Sequence, residues 1–112
     1  MPFTPVTKVK TPIADKSTPF NVMLAVAGTA EDLVLVPVGR KGRALSLVNE
    51  GPGDIAIVED AIATVTSTLV RDGEAYAESG LEISTKISFI NVTPSATPVV
   101  RGVLWSGPPV AN

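Results

Sequence analysis

Thr64-Val65-Thr66-Ser67-Thr68-Leu69-Val70-Arg71-Asp72-Gly73-Glu74-Ala75-Tyr76 is the stretch whose pattern sets the fold class. Threonines at 64, 66 and 68 alternate with Val65 and Leu69, and a period of two puts the two sets on opposite faces of a strand. A strand is therefore expected over 62–70. Asp72-Gly73 follows, a dipeptide that readily supplies the positive φ angles of a tight hairpin. Ala75-Tyr76 then opens the next apolar run. A short helix over 61–65 is the rival reading, and its β-branched content makes it the weaker one.

Outward from this stretch the same rhythm continues. Apolar runs near 20–27, 32–38, 43–49, 54–59, 74–84 (interrupted at Gly80), 86–92 and 99–106 are separated by turn-forming residues, the spacing of a sandwich or barrel. Ile87 and Phe89 alternate with Lys86 and Ser88. Leu33-Val34-Leu35-Val36 is apolar on both faces, so that strand is expected to be central or covered on its outer side by a partner. Val, Ile and Thr total 34 of 112 residues, with 10 Pro and 9 Gly as punctuation. The expected fold is all-β, an antiparallel β-sandwich or jelly roll over 20–112.

Positions 1–19 differ in kind. Pro2, Pro5, Pro12 and Pro19 are interleaved with Thr4, Thr7, Thr11 and Thr18 and with Lys8, Lys10 and Lys16. Proline at that frequency forbids helix and interior strand and favours an extended path. An extended N-terminal arm is expected here, ordering on a partner.

Composition excludes several kinds of chemistry. The chain has no Cys and no His, which removes thiol nucleophiles, disulfides, imidazole bases, Ser-His-Asp triads and zinc sites built from those ligands. A net charge of −2 offers no global positive field for nucleic acid. No stretch approaches the ~20 apolar residues that span a bilayer, and Met1-Pro2-Phe3-Thr4-Pro5 lacks a basic segment leading into an apolar one. The expectation is a protein made without membrane targeting, needing no cofactor, and not an enzyme.

Four features are candidates for binding. Eight carboxylates fall between Glu50 and Glu82 against the single base Arg71; Asp54, Glu59 and Asp60 are the first candidates for calcium, which takes oxygen ligands, with a solvated acidic flank as the plainer alternative. Arg40, Lys41 and Arg43 form the dense basic cluster, placed on a loop where it could meet an acidic patch of another subunit or simply be a charged turn. Trp105 is the lone tryptophan, suited to a core or to an interface. Asn91-Val92-Thr93 matches a glycosylation sequon, but no secretory signal accompanies it.

Leu47-Val48-Asn49-Glu50-Gly51-Pro52-Gly53-Asp54-Ile55-Ala56-Ile57, then Leu69 followed by Gly73-Glu74, and finally Val103-Leu104-Trp105-Ser106-Gly107 give the stretch from Arg43 to Gly107 a resemblance to small head decoration, cement or staple proteins of tailed bacteriophages. The resemblance implies a β-sandwich or jelly roll on the outer capsid surface of a virion, made in the host cytoplasm. It also implies a homo-oligomer, dimer or trimer, that clamps and stabilises the assembled major capsid protein with an arm across the shell. In that setting Lys8 and Lys10 meet acidic groups of a capsid subunit while Val6, Val9 and Ile13 fill apolar grooves. A receptor-binding or fibre-associated β module is the alternative, since fold-level likeness does not by itself assign function.

Overall fold

The computed structural model describes residues 14–109. Eight strands follow in order: β1 (Lys16–Met23), β2 (Ala30–Leu35), β3 (Lys41–Gly51), β4 (Ile55–Glu59), β5 (Thr68–Val70), β6 (Ala75–Ile83), β7 (Lys86–Asn91) and β8 (Val99–Gly107). They build two four-stranded antiparallel sheets, β1-β8-β3-β6 (sheet A) and β2-β7-β4-β5 (sheet B). Among the described residues there is no helix.

The sheets share one core. Leu45, Leu47, Val100 and Leu104 from sheet A pack with Ile55, Ile57, Ile87 and Phe89 from sheet B. Phe20 and Phe89 meet edge to face across the gap, with ring centroids 6.3 Å apart, the arrangement that aromatic quadrupoles favour. Alternation within each strand decides which side chains enter: Val100, Gly102 and Leu104 of β8 point inward, and Val99, Arg101, Val103 and Trp105 point out. Gly102 is a packing requirement, because a Cβ there would lie 2.3 Å from the Ser46 carbonyl oxygen and 2.8 Å from the Phe20 ring.

Several expectations change. The strand expected over 62–70 shrinks to Thr68–Val70. Thr64 and Thr66 bond to each other, and the Thr64 N–H donates to Ser67 Oγ, so their hydroxyls compete with a ladder rather than flank one. The segment 60–67 instead crosses the outer face of sheet B. Ala63 donates its N–H to Ser88 Oγ at 3.0 Å and closes a second cluster with Ala56 and Ile90. Asp72-Gly73 is a turn, with the Glu74 N–H on the Arg71 carbonyl and Gly73 at φ +79°, but it is not a hairpin: β5 and β6 lie in different sheets.

The run at 32–38 becomes β2, an edge strand of sheet B and not a central one. Val34 is buried while Leu35 stands open to solvent. The ladder between β3 and β6 breaks at Gly80, where φ is +71° and the register jumps from Ala44 opposite Ser79 to Gly42 opposite Ile83; this is where an interruption was expected.

The boundary at position 19 also moves. β1 begins at Lys16 and pairs with β8 from Lys16 opposite Ser106 to Met23 opposite Val99, so Lys16–Pro19 belong to the sheet. Pro19 is tolerated because β1 is an edge strand, where a missing N–H on the solvent side breaks no ladder bond. Val6, Lys8, Val9, Lys10 and Ile13 lie outside the described residues.

Candidate functional site

The acidic segment is organised as turn chemistry. At the end of β3, Asn49 is fully buried. Its Nδ2 donates to the carbonyls of Gly53 at 2.8 Å and Val70 at 3.1 Å, and its Oδ1 accepts from the Gly51 N–H at 2.9 Å. Asp72 Oδ2 accepts the Gly53 N–H, and Asp54 Oδ1 accepts the Asp72 N–H. Gly51, at φ +75°, leaves no room for a Cβ beside the Asp72 carboxylate. The motif 49–54 is thus a knot that binds the β3–β4 turn to the β5–β6 turn. Asn91 plays the same part at the end of β7, donating to the Ala96 carbonyl and accepting from the Thr93 N–H. Being fully buried, the asparagine of the sequon does not present its amide to solvent.

Asp60 caps the β6–β7 turn. Its carboxylate accepts from the N–H groups of Ser84, Thr85 and Lys86 and from the Thr85 hydroxyl. Burial acts to raise its pKa, but these hydrogen bonds together outweigh burial and hold it below the usual aspartate value. Tyr76 moves the other way: burial, a 2.6 Å hydrogen bond donated to Glu78 and the charges of Glu59 and Glu78 keep its hydroxyl protonated far above the ordinary range. Asp54, Glu59 and Asp60 therefore serve three different neighbourhoods. Among the described residues no group of three or more carboxylates comes together as a metal cage.

The basic cluster is also drawn into the fold. Arg40 pairs with Asp15 and donates to Ser106 Oγ at 3.1 Å and to the Ser106 carbonyl at 3.0 Å. Lys41 reaches Ser84 Oγ at 2.6 Å. Arg43 is 5% exposed and clasps the carbonyls of Pro108 and Pro109 at 2.8 and 3.1 Å. A loop patch displaying three cations was expected; instead Arg43 sits in the ladder break of β3 and faces inward, fastening the chain that follows β8.

Among the described residues, the outer face of sheet A has nothing lying over it. Ser46, on central strand β3, and Ala75, Ala77 and Ser79, on β6, are exposed. Trp105 is 41% exposed and Met23 57%. The register aligns Ser17, Trp105, Ala44 and Ser79 in one row and Pro19, Val103, Ser46 and Ala77 in the next. Two shallow depressions mark the face, one over Gly102 between Pro19, Asn21, Arg101 and Val103, the other beside Trp105 between Ala44, Ser46, Ala77 and Ser79. Arg101 and Glu50 on this face pair at 3.4 Å, and Glu78 borders the depression beside Trp105. Sheet B differs, because 60–67 lies over it.

Of this face, Trp105 is the residue that the sequence marks as suited to an interface. Ala44, Ser46, Ala75, Ala77 and Ser79 carry no chemistry of their own, and their shared property, one uncovered surface, exists only once β3 and β6 are paired. Comparisons with family models, with curated proteins and with solved structures found no match to the chain.

Proposed function

We propose that the protein is a structural virion protein, a decoration or cement subunit that sits on the outer surface of a capsid after synthesis in the host cytoplasm and stabilises the assembled major capsid lattice. The observation that carries the reading is the outer face of sheet A. It is a broad surface of mostly small and apolar side chains holding a half-exposed tryptophan, which suits contact with protein better than turnover of a small substrate. The strand order supports the finer reading as a jelly roll: β1 with β8, β2 with β7, β3 with β6 and β4 with β5 is the pairing of one long hairpin wrapped over two sheets, an architecture shared by many capsid and lectin domains.

An accessory subunit of this kind acts by mass action. Binding the assembled lattice and not the dispersed subunit stabilises the shell through many modest contacts. Val6, Lys8, Val9, Lys10 and Ile13 would extend those contacts along the shell. The alternative, a receptor-binding or fibre-associated module, has one observation in its favour, the depression beside Trp105, where a ring could stack on a ligand. Co-sedimentation of the full chain with shells assembled from the accompanying major capsid protein tests the first reading. Saturable binding to shells and not to unassembled capsid subunits supports it. No binding to shells, with binding to cell-surface glycans, would replace it by the second.

A further inference from the structure

We infer that the outer face of sheet A is a self-association surface, closed by the same face of a second copy of this chain about a two-fold axis. The inference rests on reading this face as an assembly surface; it makes no use of the capsid.

The two halves of the face differ in relief. On the β1/β8 side stand Met23, Pro19, Val103 and Trp105; on the β3/β6 side stand Ala44, Ser46, Ala77 and Ser79. In the two rows running through Trp105 and Val103, the midline between β8 and β3 separates the large side chains Trp105, Val103 and Pro19 from Ala44, Ser46, Ala77 and Ser79; the next row holds Val48 on β3 opposite Arg101. A two-fold axis lying in the interface along that midline exchanges the halves. Following the rows of the ladder, Trp105 of one copy comes over Ala44 of the other, Val103 over Ser46, and Pro19 over Ala77. Trp105, Val103 and Pro19 each then meet a small residue, which is the self-complementarity that an isologous contact requires.

The charges obey the same operation. Arg101 lies on β8 and Glu50 on β3, one on each side of the midline. Exchange of the halves brings Arg101 of each copy toward Glu50 of the other, so the 3.4 Å pair within one chain becomes part of a four-charge ring of alternating sign. No like charges are forced together at the centre. An unrelated partner would have to supply that charge pattern by coincidence, whereas a second copy supplies it by symmetry.

Area sets the strength. Four strands about 4.8 Å apart, over seven residues rising about 3.3 Å each, give a face of roughly 19 by 23 Å. With side-chain relief, a pair of such faces covers about 1,000 Å², the lower end of specific interfaces. Stacked sheets with strands within about 30° of each other can use that area fully. The dimer is accordingly expected to dissociate in the micromolar range.

The experiment is sedimentation velocity on the full chain from about 1 to about 500 µM, spanning the range in which so small an interface opens, with Trp105 emission recorded across the same series. Since Trp105 is the only tryptophan, its spectrum reports this face alone. A concentration-dependent rise to twice the chain mass, with a blue shift of emission at the same midpoint, is expected. Ala77→Arg, at an exposed position, should raise the midpoint at least tenfold. Ile62→Arg, on the opposite side of the molecule over sheet B, should leave it unchanged. Ser46→Lys stands in for Ala77→Arg if that variant fails to fold, and circular dichroism decides this.

A monomer throughout, whether its tryptophan is solvated or shielded by its own chain, overturns the inference. So does a dimer insensitive to both face variants, or a trimer. Because no shell is present, failure to bind capsid leaves a dimer standing, and a monomer that binds shells would refute the dimer alone.

Discussion

Replacing Asn49 should unfasten two turns at once. Its side chain is fully buried and makes three hydrogen bonds, to the Gly53 and Val70 carbonyls and from the Gly51 N–H. Asn49→Ala takes its acceptor from the buried Gly51 N–H, at about 1–3 kcal/mol, while the Val70 carbonyl keeps its ladder pairing with Ile55 and Gly53 can turn to water. The expected loss is about 2 kcal/mol, a sizeable part of the ~5–15 kcal/mol by which a domain is stable. Chemical denaturation at constant m-value should show it, with a fall in Tm of about 8–16 °C.

Asn49→Asp is the sharper test. The new carboxyl still accepts from Gly51, but its second oxygen faces two carbonyls at 2.8 and 3.1 Å and can satisfy one of them only when protonated. Burial and the acceptor-only surroundings raise its pKa in the folded state. The native state then binds more protons than the unfolded one, so stability rises as pH falls through the raised folded pKa toward the ordinary aspartate value. At neutral pH the variant should be at least as unstable as Asn49→Ala, and it should recover on mild acidification. A loss under about 1 kcal/mol for Asn49→Ala, or a stability of Asn49→Asp that does not rise on acidification, would refute the assignment of Asn49 as the fastener.

Asp60 works in the opposite sense: its folded pKa is lowered, so its contribution is present above the unfolded aspartate pKa and lost as pH falls through the folded value. Asp60→Asn should flatten that acid limb in Tm measured against pH and cost about 1 kcal/mol at neutral pH, the worth of a capping carboxylate. Gly102→Ala should lower Tm by more than about 12 °C, because the obstructing Ser46 oxygen at 2.3 Å is backbone and overpacking that cannot relax costs about 3 kcal/mol; Gly73→Ala, with open space around it, should cost only the strain of a positive φ. A chain starting at Asp15 should melt within a few degrees of the full chain yet bind shells more weakly. One starting at Phe20 should lose further stability in thermal melts, since it removes Lys16–Pro19 from the β1–β8 ladder and Asp15 from Arg40.

Alternation and turn chemistry, both local, determined that this chain is all-β and where most of its strands run. Ile87 and Phe89 face the core as their alternation required, and Gly51, Gly53 and Gly73 adopt the positive φ angles that a side chain would oppose. Local pattern is silent on partners. Asp72-Gly73 has the chemistry of a hairpin, yet β5 and β6 pair with β4 and β3 in different sheets, a choice made by ladders that join residues far apart in the chain. Period two states which side chains share a face but not what lies across it, so the burial of Ser88 and Ile90 under 60–67 and the exposure of Ser46 and Ala77 had no sequence signature. Arg43 shows the same limit for charge: on the chain it is one of three neighbouring bases, and only the break in the β3 ladder turns it inward to Pro108 and Pro109. Tertiary pairing, which sets neighbours and coverage together, is what leaves the outer face of sheet A open among the described residues.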